Sequence, residues 1–303
     1  MKPVDLTIII LNYNTKDLLC ECLQSVSQAE KGHFTFETIV VDNASTDGSG
    51  QMVKKEFSWV GLIESQKNLG FAGGNNLGLK RAKGHYVLFL NSDTLVRPGA
   101  FKKMIEFMDQ HPQIGASTPK AMLFSGRMDP DCHRGFPTPW ASITYFLGLE
   151  KFFPKSKLFG RYHKFYLDLN KAHEIDAGFG TFMFVRKEVF DRVGKWDESY
   201  FFYGEDLDLF YRIKKAGWRV MFYPEPLLTH HKGASSGLRE ESREISKASR
   251  EIRLKTAKAS IKAMEIFYRK FYKDKYPPWV TGIVLFGIKA KGLLRLIGHY
   301  FRK

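Results

Sequence analysis

A short polar tip, Asn91-Ser92-Asp93, follows the apolar run of residues 87–90. A run of this kind is typical of a strand that is buried on both faces. In α/β enzymes the carboxyl ends of such strands are where ligands bind, and a carboxylate there can hold a divalent cation or a phosphate-bearing ligand. Strands also end in Asn, Ser or Asp simply to make a turn, so the tip indicates a site only together with other segments.

A second carboxylate, Asp42, ends the strand-like run of residues 37–42. A carboxylate in this position can accept a hydrogen bond from the imide N–H of a uracil or thymine ring. The alternative is that Asp42 caps the following helix, but Asp47 is better placed to do so. We therefore predict a ligand contact for Asp42.

The segment of residues 68–78 is rich in glycine and asparagine and leads into a predicted helix. Glycines let the backbone approach a ligand closely, and the N-terminus of a helix favours an anion. No Gly-Lys-Ser or Gly-Lys-Thr follows, so the segment is not a Walker loop. Taken alone, it fits a tight turn with close helix packing slightly better than a ligand contact.

Three carboxylates, Glu205, Asp206 and Asp208, follow the aromatic run of residues 200–203 at the predicted start of a helix. An aspartate in an aromatic pocket is a suitable general base for a sugar hydroxyl. The alternative is capping, because negative charge stabilises a helix N-terminus. Asp208 also has the spacing to pair with Arg212 along the helix.

Two histidines, His230 and His231, follow the extended run of residues 220–224. A histidine here is suited to complete a metal shell opposite Asp93. A lone histidine is more often a hydrogen-bonding residue than a ligand. Because neighbouring residues of a strand point to opposite faces, at most one of the two serves the site.

Strands and helices alternate along the first 93 residues. Strand-like runs lie at residues 6–11, 37–42, 60–63 and 87–90, and the helices between them lie at 16–29, 49–57 and 74–82. This alternation predicts an α/β fold with a parallel, doubly wound sheet that binds ligands at the carboxyl ends of its strands. The polar tips at Asn12, Asp42 and Asp93 should then share one edge, and Thr15 is expected to cap the first helix.

The positive charge is concentrated at the C-terminus. Residues 239–303 carry 17 Lys and Arg against 6 Asp and Glu, so they supply +11 of the net charge of +15. We predict basic amphipathic helices here, and the apolar run of residues 279–288 is too short to span a bilayer. An interfacial anchor on an anionic leaflet fits both features. The alternative is an ordinary helix packed on the domain with a solvated basic face.

Composition and targeting signals bound the class of protein. A hydrophobic content of 44% and a charged content of 26% are globular values. The sequence shows no signal peptide and no metal pattern among its three cysteines. We expect a reduced, cytoplasmic protein that is held peripherally on the inner face of the plasma membrane.

Taken together, these segments resemble the family 2 glycosyltransferases, and within them the rhamnosyltransferase-like branch. The matching strings, in order, are residues 9–14 (IILNYN), 41–48 (VDNASTDG), 68–76 (NLGFAGGNN), 90–93 (LNSD), 178–181 (GFGT), 196–198 (WDE), 202–208 (FYGEDLD) and His230. The resemblance implies the GT-A fold, a doubly wound, mostly parallel sheet with helices on both faces, here with a basic helical C-terminal extension. It implies a GT-A domain over residues 1–238, with a nucleotide-sugar half (about 1–118) and an acceptor half (about 119–238), before the tail of residues 239–303.

The resemblance also implies an inverting transfer of a sugar, rhamnose in this branch, from a dTDP- or UDP-sugar to a glycan or lipid-linked acceptor in cell-surface polysaccharide synthesis. Asp206 would be the catalytic base, supported by Glu205. Asp93 and His230 would bind Mg2+ or Mn2+, although Asn91 replaces the first aspartate of the family's Asp-x-Asp motif. Asp42 would contact the pyrimidine base. The other implied donor contacts are Asn12, Asn14, Asn68, Gly70, Phe71, Asn75 and Ser92, and the implied acceptor contacts are Trp196, Asp197 and Glu198.

Two other classes of function compete with such an enzyme. A non-enzymatic protein that binds nucleic acid or a membrane surface would explain the basic tail, but it gives no reason for Asp42, Asp93 and Asp206 to lie at strand and helix ends. A sugar-phosphate nucleotidyltransferase would need a basic phosphate-binding loop near the N-terminus, where residues 12–16 offer one lysine. We expect no nucleic-acid partner.

Overall fold

The computed structural model describes residues 3–29, 34–231 and 250–301. The first elements are β1 (Leu6–Asn12), α1 (Lys16–Gln28), β2 (Phe36–Asp42), α2 (Ser49–Glu56), β3 (Gly61–Glu64), α3 (Gly70–Leu79), β4 (Tyr86–Asn91), β5 (Thr94–Val96) and α4 (Ala100–Asp109). Next come β6 (Ile114–Leu123), α5 (Pro139–Phe146), α6 (Leu149–Phe152), β7 (His173–Glu174), β8 (Phe182–Arg186), α7 (Val189–Val193), α8 (Glu205–Lys215) and β9 (Arg219–His230). The last helices are α9 (Arg250–Phe271) and α10 (Pro278–Phe301). The predicted boundary between residues 238 and 239 lies outside the described residues.

The strands form one sheet in the order β3-β2-β1-β4-β8-β6-β9-β5, and β7 pairs with β9. Strands β1 to β4 are parallel to one another, which confirms the predicted doubly wound half. Strand β8 runs antiparallel between β4 and β6. Strands β6 and β9 are again parallel. The carboxyl ends of β1, β2 and β4 therefore meet at one edge of the sheet, as the sequence predicts.

The centre of the sheet is the core of the protein. Strands β1, β4 and β8 are apolar and almost wholly buried, because each lies between two other strands. The indole of Trp196 packs edge-on against Phe89 and Phe71, with ring centroids 4.9 and 5.5 Å apart. This aromatic contact joins the sheet to helix α3, which begins beside the ligand edge.

Helix α3 begins at Gly70, four residues before the predicted start. Gly70 has φ +74°, and a Cβ atom there would lie 2.4 Å from the carbonyl oxygen of Phe201. The next residue, Phe71, donates its backbone N–H to the same oxygen at 2.9 Å. The predicted turn is therefore the first turn of the helix, and a glycine is required there because the chain of residue 201 passes so close.

Thr15 is the N-cap residue of α1, which begins at Lys16 as predicted, but the expected capping by its side chain is wrong. The Thr15 side chain makes no capping hydrogen bond and instead joins the ligand edge described below. The N–H of Lys16 is bound by Asp47 Oδ2 at 2.8 Å, while Asp47 Oδ1 accepts the N–H of Ser49 at 3.0 Å. One carboxylate from the loop before α2 thus serves the starts of two helices, which needs the tertiary fold to bring them together.

The first tail helix, α9, packs on the domain through Ala263, Phe267, Tyr268 and Tyr272, which form an apolar cluster with Tyr200. A Cβ atom on Gly204, the residue before α8, would lie 3.1 Å from the Cβ of Ala263, so α9 presses on the segment that carries the acidic residues. Within the described ranges, no helix is both long and apolar enough to cross a membrane.

An ion-pair cluster around the buried carboxylate of Asp208 joins α9 to α8 and to Asp197. Lys270 Nζ lies 2.6 Å from an oxygen of Asp208 and 2.5 Å from an oxygen of Asp197. The Asp208 carboxylate is wholly buried and is also bound by Arg212 Nε at 2.6 Å. The tail is thereby coupled to both acidic segments that the sequence singles out.

Replacing Lys270 by Met is expected to lower the free energy of unfolding by about 1–2 kcal/mol, because Asp208 keeps only one of its two cations. The loss stays moderate because the Lys270 side chain is one-third exposed. Chemical denaturation measures the change. The control Lys262→Met removes an exposed pair with Glu265 and should change stability by less than about 0.5 kcal/mol. Equal effects of the two variants would contradict a docked α9.

Candidate active site

Hydrogen bonds join the three strand ends into one network. Asn12 Nδ2 donates to Asp42 Oδ1 at 3.1 Å, and its Oδ1 accepts the Thr15 hydroxyl at 2.7 Å. The Thr15 hydroxyl also lies 2.8 Å from that of Ser92. The predicted meeting of Asn12, Asp42 and the tip at Asp93 is thus found, with Thr15 as the link that the sequence did not reveal.

The predicted donor contacts from the loops hold one another in place. Asn14, at φ +53°, accepts the N–H of Thr46 at 2.7 Å. Asn68 Oδ1 accepts the N–H of Gly70 at 2.9 Å, and Asn75 Nδ2 donates to the Phe71 carbonyl at 3.1 Å. These side chains shape the loops that surround the edge, so any contact with a ligand would come in addition to that structural role.

Asp93 and His230 meet because strand β5 pairs with β9, with Thr94 opposite His230. His230 Nε2 lies 3.4 Å from Asp93 Oδ1, and its Nδ1 lies 3.0 Å from Asp129 Oδ2. His231 points the other way and stacks on Phe124 at 3.8 Å, so of the two histidines His230 is the one whose ring faces Asp93. Sequence reasoning missed Asp129, because residues 129–173 form an aromatic-rich segment without strand or helix periodicity and an Asp before Pro is an ordinary turn signal.

The charge state of His230 follows from these two carboxylates. Burial opposes its protonation, but the charge of Asp93 and the hydrogen bond to Asp129 outweigh burial and raise the pKa of His230 to about 9. A cation on His230 would have to displace this proton, because histidine binds a metal only as the neutral imidazole.

The residues at this point fit a divalent cation. Asp93 is almost wholly buried, and its Oδ1 has no hydrogen-bond partner among the described residues. A buried, unpartnered carboxylate oxygen is a suitable ligand for Mg2+ or Mn2+. Within the described ranges, no three His, Cys, Asp or Glu side chains form a group able to hold a metal by themselves. A cation here would therefore need further oxygen ligands from a bound molecule, as the phosphates of a nucleotide sugar provide.

The predicted base, Asp206, lies in the first turn of α8, where the helix dipole favours negative charge. Its Oδ2 lies 2.6 Å from Arg134 Nη2, and Arg134 also donates to the carbonyl of Gly178. Burial opposes the charge of this guanidinium, but Asp206 more than offsets it and raises the pKa of Arg134. The sequence offered no spacing that links Arg134 to Asp206, since 72 residues separate them.

The neighbouring Glu205 has a different environment. It is buried, and its Oε2 has no hydrogen-bond partner within the described part of the chain. Burial first, and the charge of Asp206 second, raise the pKa of Glu205 well above its usual value, against a smaller opposing effect of Arg134. The two adjacent acids therefore differ: Glu205 is buried with a raised pKa, whereas Asp206 is paired with the guanidinium of Arg134.

Glu205→Gln is expected to stabilise the protein at alkaline pH. Because the pKa of Glu205 is raised on folding, its stabilising contribution is full below its unfolded pKa of about 4.5 and is lost as the pH rises through the folded pKa. Unfolding measured at pH 5, 6.5 and 8 should show a gap between variant and wild type that widens by at most about 1.4 kcal/mol per pH unit. Glu56→Gln, an exposed control, should follow wild type. A Glu205→Gln curve parallel to wild type would contradict the raised pKa.

The three predicted acceptor contacts are placed apart from one another. Trp196 is 1% exposed and lies in the core, so a direct contact of its ring with an acceptor is corrected to a packing role. Asp197 binds Lys270, and Glu198 Oε1 accepts a hydrogen bond from Asn76 Nδ2 at 2.7 Å. The side chains of residues 196–198 therefore serve packing and polar contacts around α3 and α9 in this structure.

The family model "Glycosyl transferase family 2" matches residues 7–194, which is more than half of the chain. The chain belongs to this family. This family 2 glycosyltransferase is therefore an enzyme that transfers a sugar from a nucleotide sugar with inversion, and the two rival classes of function are not supported.

Two curated relatives illustrate the family assignment. The N-acetylglucosaminyl-diphospho-decaprenol L-rhamnosyltransferase of Mycobacterium tuberculosis is 26% identical over 245 residues, which cover 77% of this chain and 78% of the relative. The succinoglycan biosynthesis protein ExoO of Rhizobium meliloti is 28% identical over 275 residues, which cover 90% of this chain and 70% of the relative.

Solved structures with the same fold confirm the GT-A prediction. The mannosyltransferase PcManGT of Pyrobaculum calidifontis, in complex with GDP-Man and Mn2+, has a TM-score of 0.58 at 17% identity, covering 97% of this glycosyltransferase and 72% of that chain. Staphylococcus aureus TarS 1–349 with UDP has a TM-score of 0.52 at 19% identity, covering 89% and 73%. At these identities the likeness shows the fold, and structures of this fold have been solved with Mn2+.

Proposed function

We propose that this glycosyltransferase transfers a hexose, with rhamnose as the leading candidate, from a dTDP- or UDP-sugar to a glycan or lipid-linked acceptor in cell-surface polysaccharide synthesis. The observation that carries the proposal is the placing of three carboxylates: the buried Asp42 in the strand-end network, the buried Asp93 beside His230, and the partly exposed Asp206 of α8 on Arg134. The name of the mycobacterial relative supports the sugar and the lipid-linked acceptor.

Asp206 is the base in the proposed reaction. It takes the proton of the acceptor hydroxyl while the hydroxyl oxygen attacks the anomeric carbon from the face opposite the leaving group. The bond from that carbon to the diphosphate oxygen breaks, so the configuration inverts and the nucleoside diphosphate leaves with the bonding electrons. Arg134 holds the carboxylate of Asp206 in position, and the buried Glu205 supports it from the preceding position of α8.

Asp42 is proposed to accept the imide N–H of the donor's pyrimidine. Asn12 orients this carboxylate through the 3.1 Å hydrogen bond. At Asp93 and His230, a bound Mg2+ or Mn2+ supplies neutralising charge for the departing diphosphate. Further donor contacts are proposed for the loops that carry Asn14, Asn68 and Ser92.

The proposal also assigns donor binding, acceptor binding and membrane binding to separate parts of the chain. Residues 1–118 would form the donor half and residues 119–238 the acceptor half, with Asp206 facing the acceptor. The tail, residues 239–303, would hold the enzyme peripherally on the anionic inner face of the plasma membrane. Such a position would bring the site to a lipid-linked acceptor.

The test is nucleoside diphosphate release from a panel of UDP-, dTDP- and GDP-sugars, with Mg2+ or Mn2+ and a membrane extract as the source of acceptor. We expect release from one pyrimidine donor that depends on the acceptor. The matched control is Asp168→Asn, which removes an exposed carboxylate from outside the site and should leave release unchanged. Release from GDP-sugars alone would overturn the pyrimidine assignment of Asp42.

A further inference from the structure

Helix α10 has two apolar faces. One face, which includes Val284, Leu285 and Ile288, packs toward the aromatic cluster of α9. The opposite face exposes Trp279 and Phe286, which are 68% and 74% exposed. An exposed apolar face on a helix that has already packed its other side marks a contact with something outside the described chain.

A second exposed apolar surface lies on residues 139–159, which contain α5 and α6. Leu147 is 66% exposed and Phe152 is 76% exposed, and Phe153 is also exposed. These side chains cluster within a segment of about twenty residues that has no part in the proposed chemistry. None of the motif strings that carry the family resemblance lies in this segment.

The two surfaces adjoin each other. Lys291 Nζ of α10 lies 3.1 Å from the ring centroid of Phe146, the last residue of α5. Phe136, three residues before α5, packs on Phe267 of α9 with ring centroids 6.4 Å apart. Both contacts place α5 beside the tail helices. We call the outer face of α10 together with the exposed side chains of residues 139–159 the apolar platform.

All exposed charges of the apolar platform are positive in the described residues. Lys151, Lys155 and Lys157 of the α5–α6 segment are exposed, as is Lys289 of α10. The only acid between residues 139 and 159 is Glu150, which is buried and accepts the N–H of His163 at 2.8 Å. No Asp or Glu occurs in the sequence after residue 274. Lysines around exposed aromatic and aliphatic side chains complement an anionic lipid surface.

We propose that the α5–α6 segment and α10 together form the membrane-docking surface. The enzyme would then bind an anionic bilayer through two contact sites and not through its tail alone. The inference rests on the proposed membrane position of the tail and deepens it. Two contact sites fix the orientation of the domain on the bilayer, whereas a single helix would leave the domain free to rotate. Because α9 is tied to α8 through Lys270, docking would hold the Asp206 segment at a set height above the lipid surface.

The test is binding of the full chain to sedimented vesicles of phosphatidylglycerol and phosphatidylcholine, compared with phosphatidylcholine alone. We expect binding to the anionic vesicles that weakens at high salt. The double variant Phe152→Ala/Phe153→Ala and the double variant Ile283→Ala/Phe286→Ala should each weaken binding about tenfold or more, since each removes two exposed apolar side chains. The control Trp59→Ala removes an exposed aromatic next to β3, outside the apolar platform, and should bind like wild type.

If the Phe152→Ala/Phe153→Ala variant binds vesicles as strongly as wild type, the proposal of two contact sites is overturned and α10 alone is the anchor. A dimer in light scattering that dissociates in the same variant, without vesicle binding, would overturn it in favour of self-association. Failure of wild type to bind anionic vesicles would overturn both the proposal and the membrane position of the tail. Sugar transfer is measured separately, by nucleoside diphosphate release with a detergent-solubilised extract as the source of acceptor, so these failures are distinct from failure of the proposed reaction. Tm values of the two double variants close to that of wild type verify that they fold.

Discussion

Asp206→Asn is expected to lower kcat for sugar transfer by about 10³-fold while changing the KM for the donor little. The amide keeps the size of the side chain and its acceptor for the N–H of Leu207, which the Asp206 Oδ1 binds at 2.8 Å. It cannot take the proton of the acceptor hydroxyl. The measurement is nucleoside diphosphate release at saturating donor, with the rate of donor hydrolysis subtracted.

The control for this variant must account for lost stability, because the neutral amide of Asp206→Asn would leave the buried guanidinium of Arg134 without its ionic partner. Asp208→Asn is a matched control, since it removes a buried, ion-paired carboxylate from the same helix, and it should keep most of the activity. Both variants are assayed well below their Tm. Activity of Asp206→Asn within tenfold of wild type, or an equal loss in Asp208→Asn, would show that Asp206 is not the base.

Asp93→Asn is expected to lower kcat/KM for the donor by about 10²-fold or more and to abolish stimulation by Mn2+ or Mg2+. The carboxylate supplies the buried Oδ1 beside His230, which accepts no hydrogen bond from the described residues, and an amide is a much weaker ligand for a hard cation. Metal titration of donor turnover measures the effect. A direct readout that does not need turnover is Mn2+ binding in the presence of the nucleoside diphosphate, followed by electron paramagnetic resonance.

The matched control is Asp274→Asn, which removes an exposed carboxylate from the turn between α9 and α10. It should leave metal stimulation at the wild-type level. If Mn2+ stimulates Asp93→Asn as it stimulates wild type, the cation lies elsewhere. If Mn2+ stimulates neither, the reaction needs no cation, and the replacement of the first aspartate of the Asp-x-Asp motif by Asn91 would then have removed metal dependence in this chain.

The ligand edge could be predicted from the sequence because its signals are local. An apolar run predicts each strand, and in a parallel sheet the residues that follow those runs must lie at the same edge. Asn12, Asp42 and Ser92 accordingly lie in one hydrogen-bonded network. The contacts of the Thr15 side chain could not be predicted in this way. A threonine before a helix has the same local sequence pattern whether its side chain caps the helix or bonds to the strand ends.

Partners that come from distant segments could not be predicted. Arg134 reaches Asp206 across 72 residues, and Asp129 reaches His230 across 101. Both arise from the irregular segment between β6 and β8, where no periodicity shows which side chains face inward. Trp196 shows the opposite error: it stands in a motif-like string, but its ring is enclosed by Phe71 and Phe89.

The sequence by itself determined the fold class, the family and the edge of the sheet where the carboxylates gather, because strand and helix periods and strand-end residues depend on neighbours along the chain. Only the tertiary structure decided that Glu205 is a buried acid while Asp206 is paired with Arg134, although the two are adjacent in sequence. It alone decided, too, that α9 packs on the domain and that α10 adjoins α5. Burial and ion pairing depend on what surrounds a side chain in space, and that is set only when the whole chain has folded.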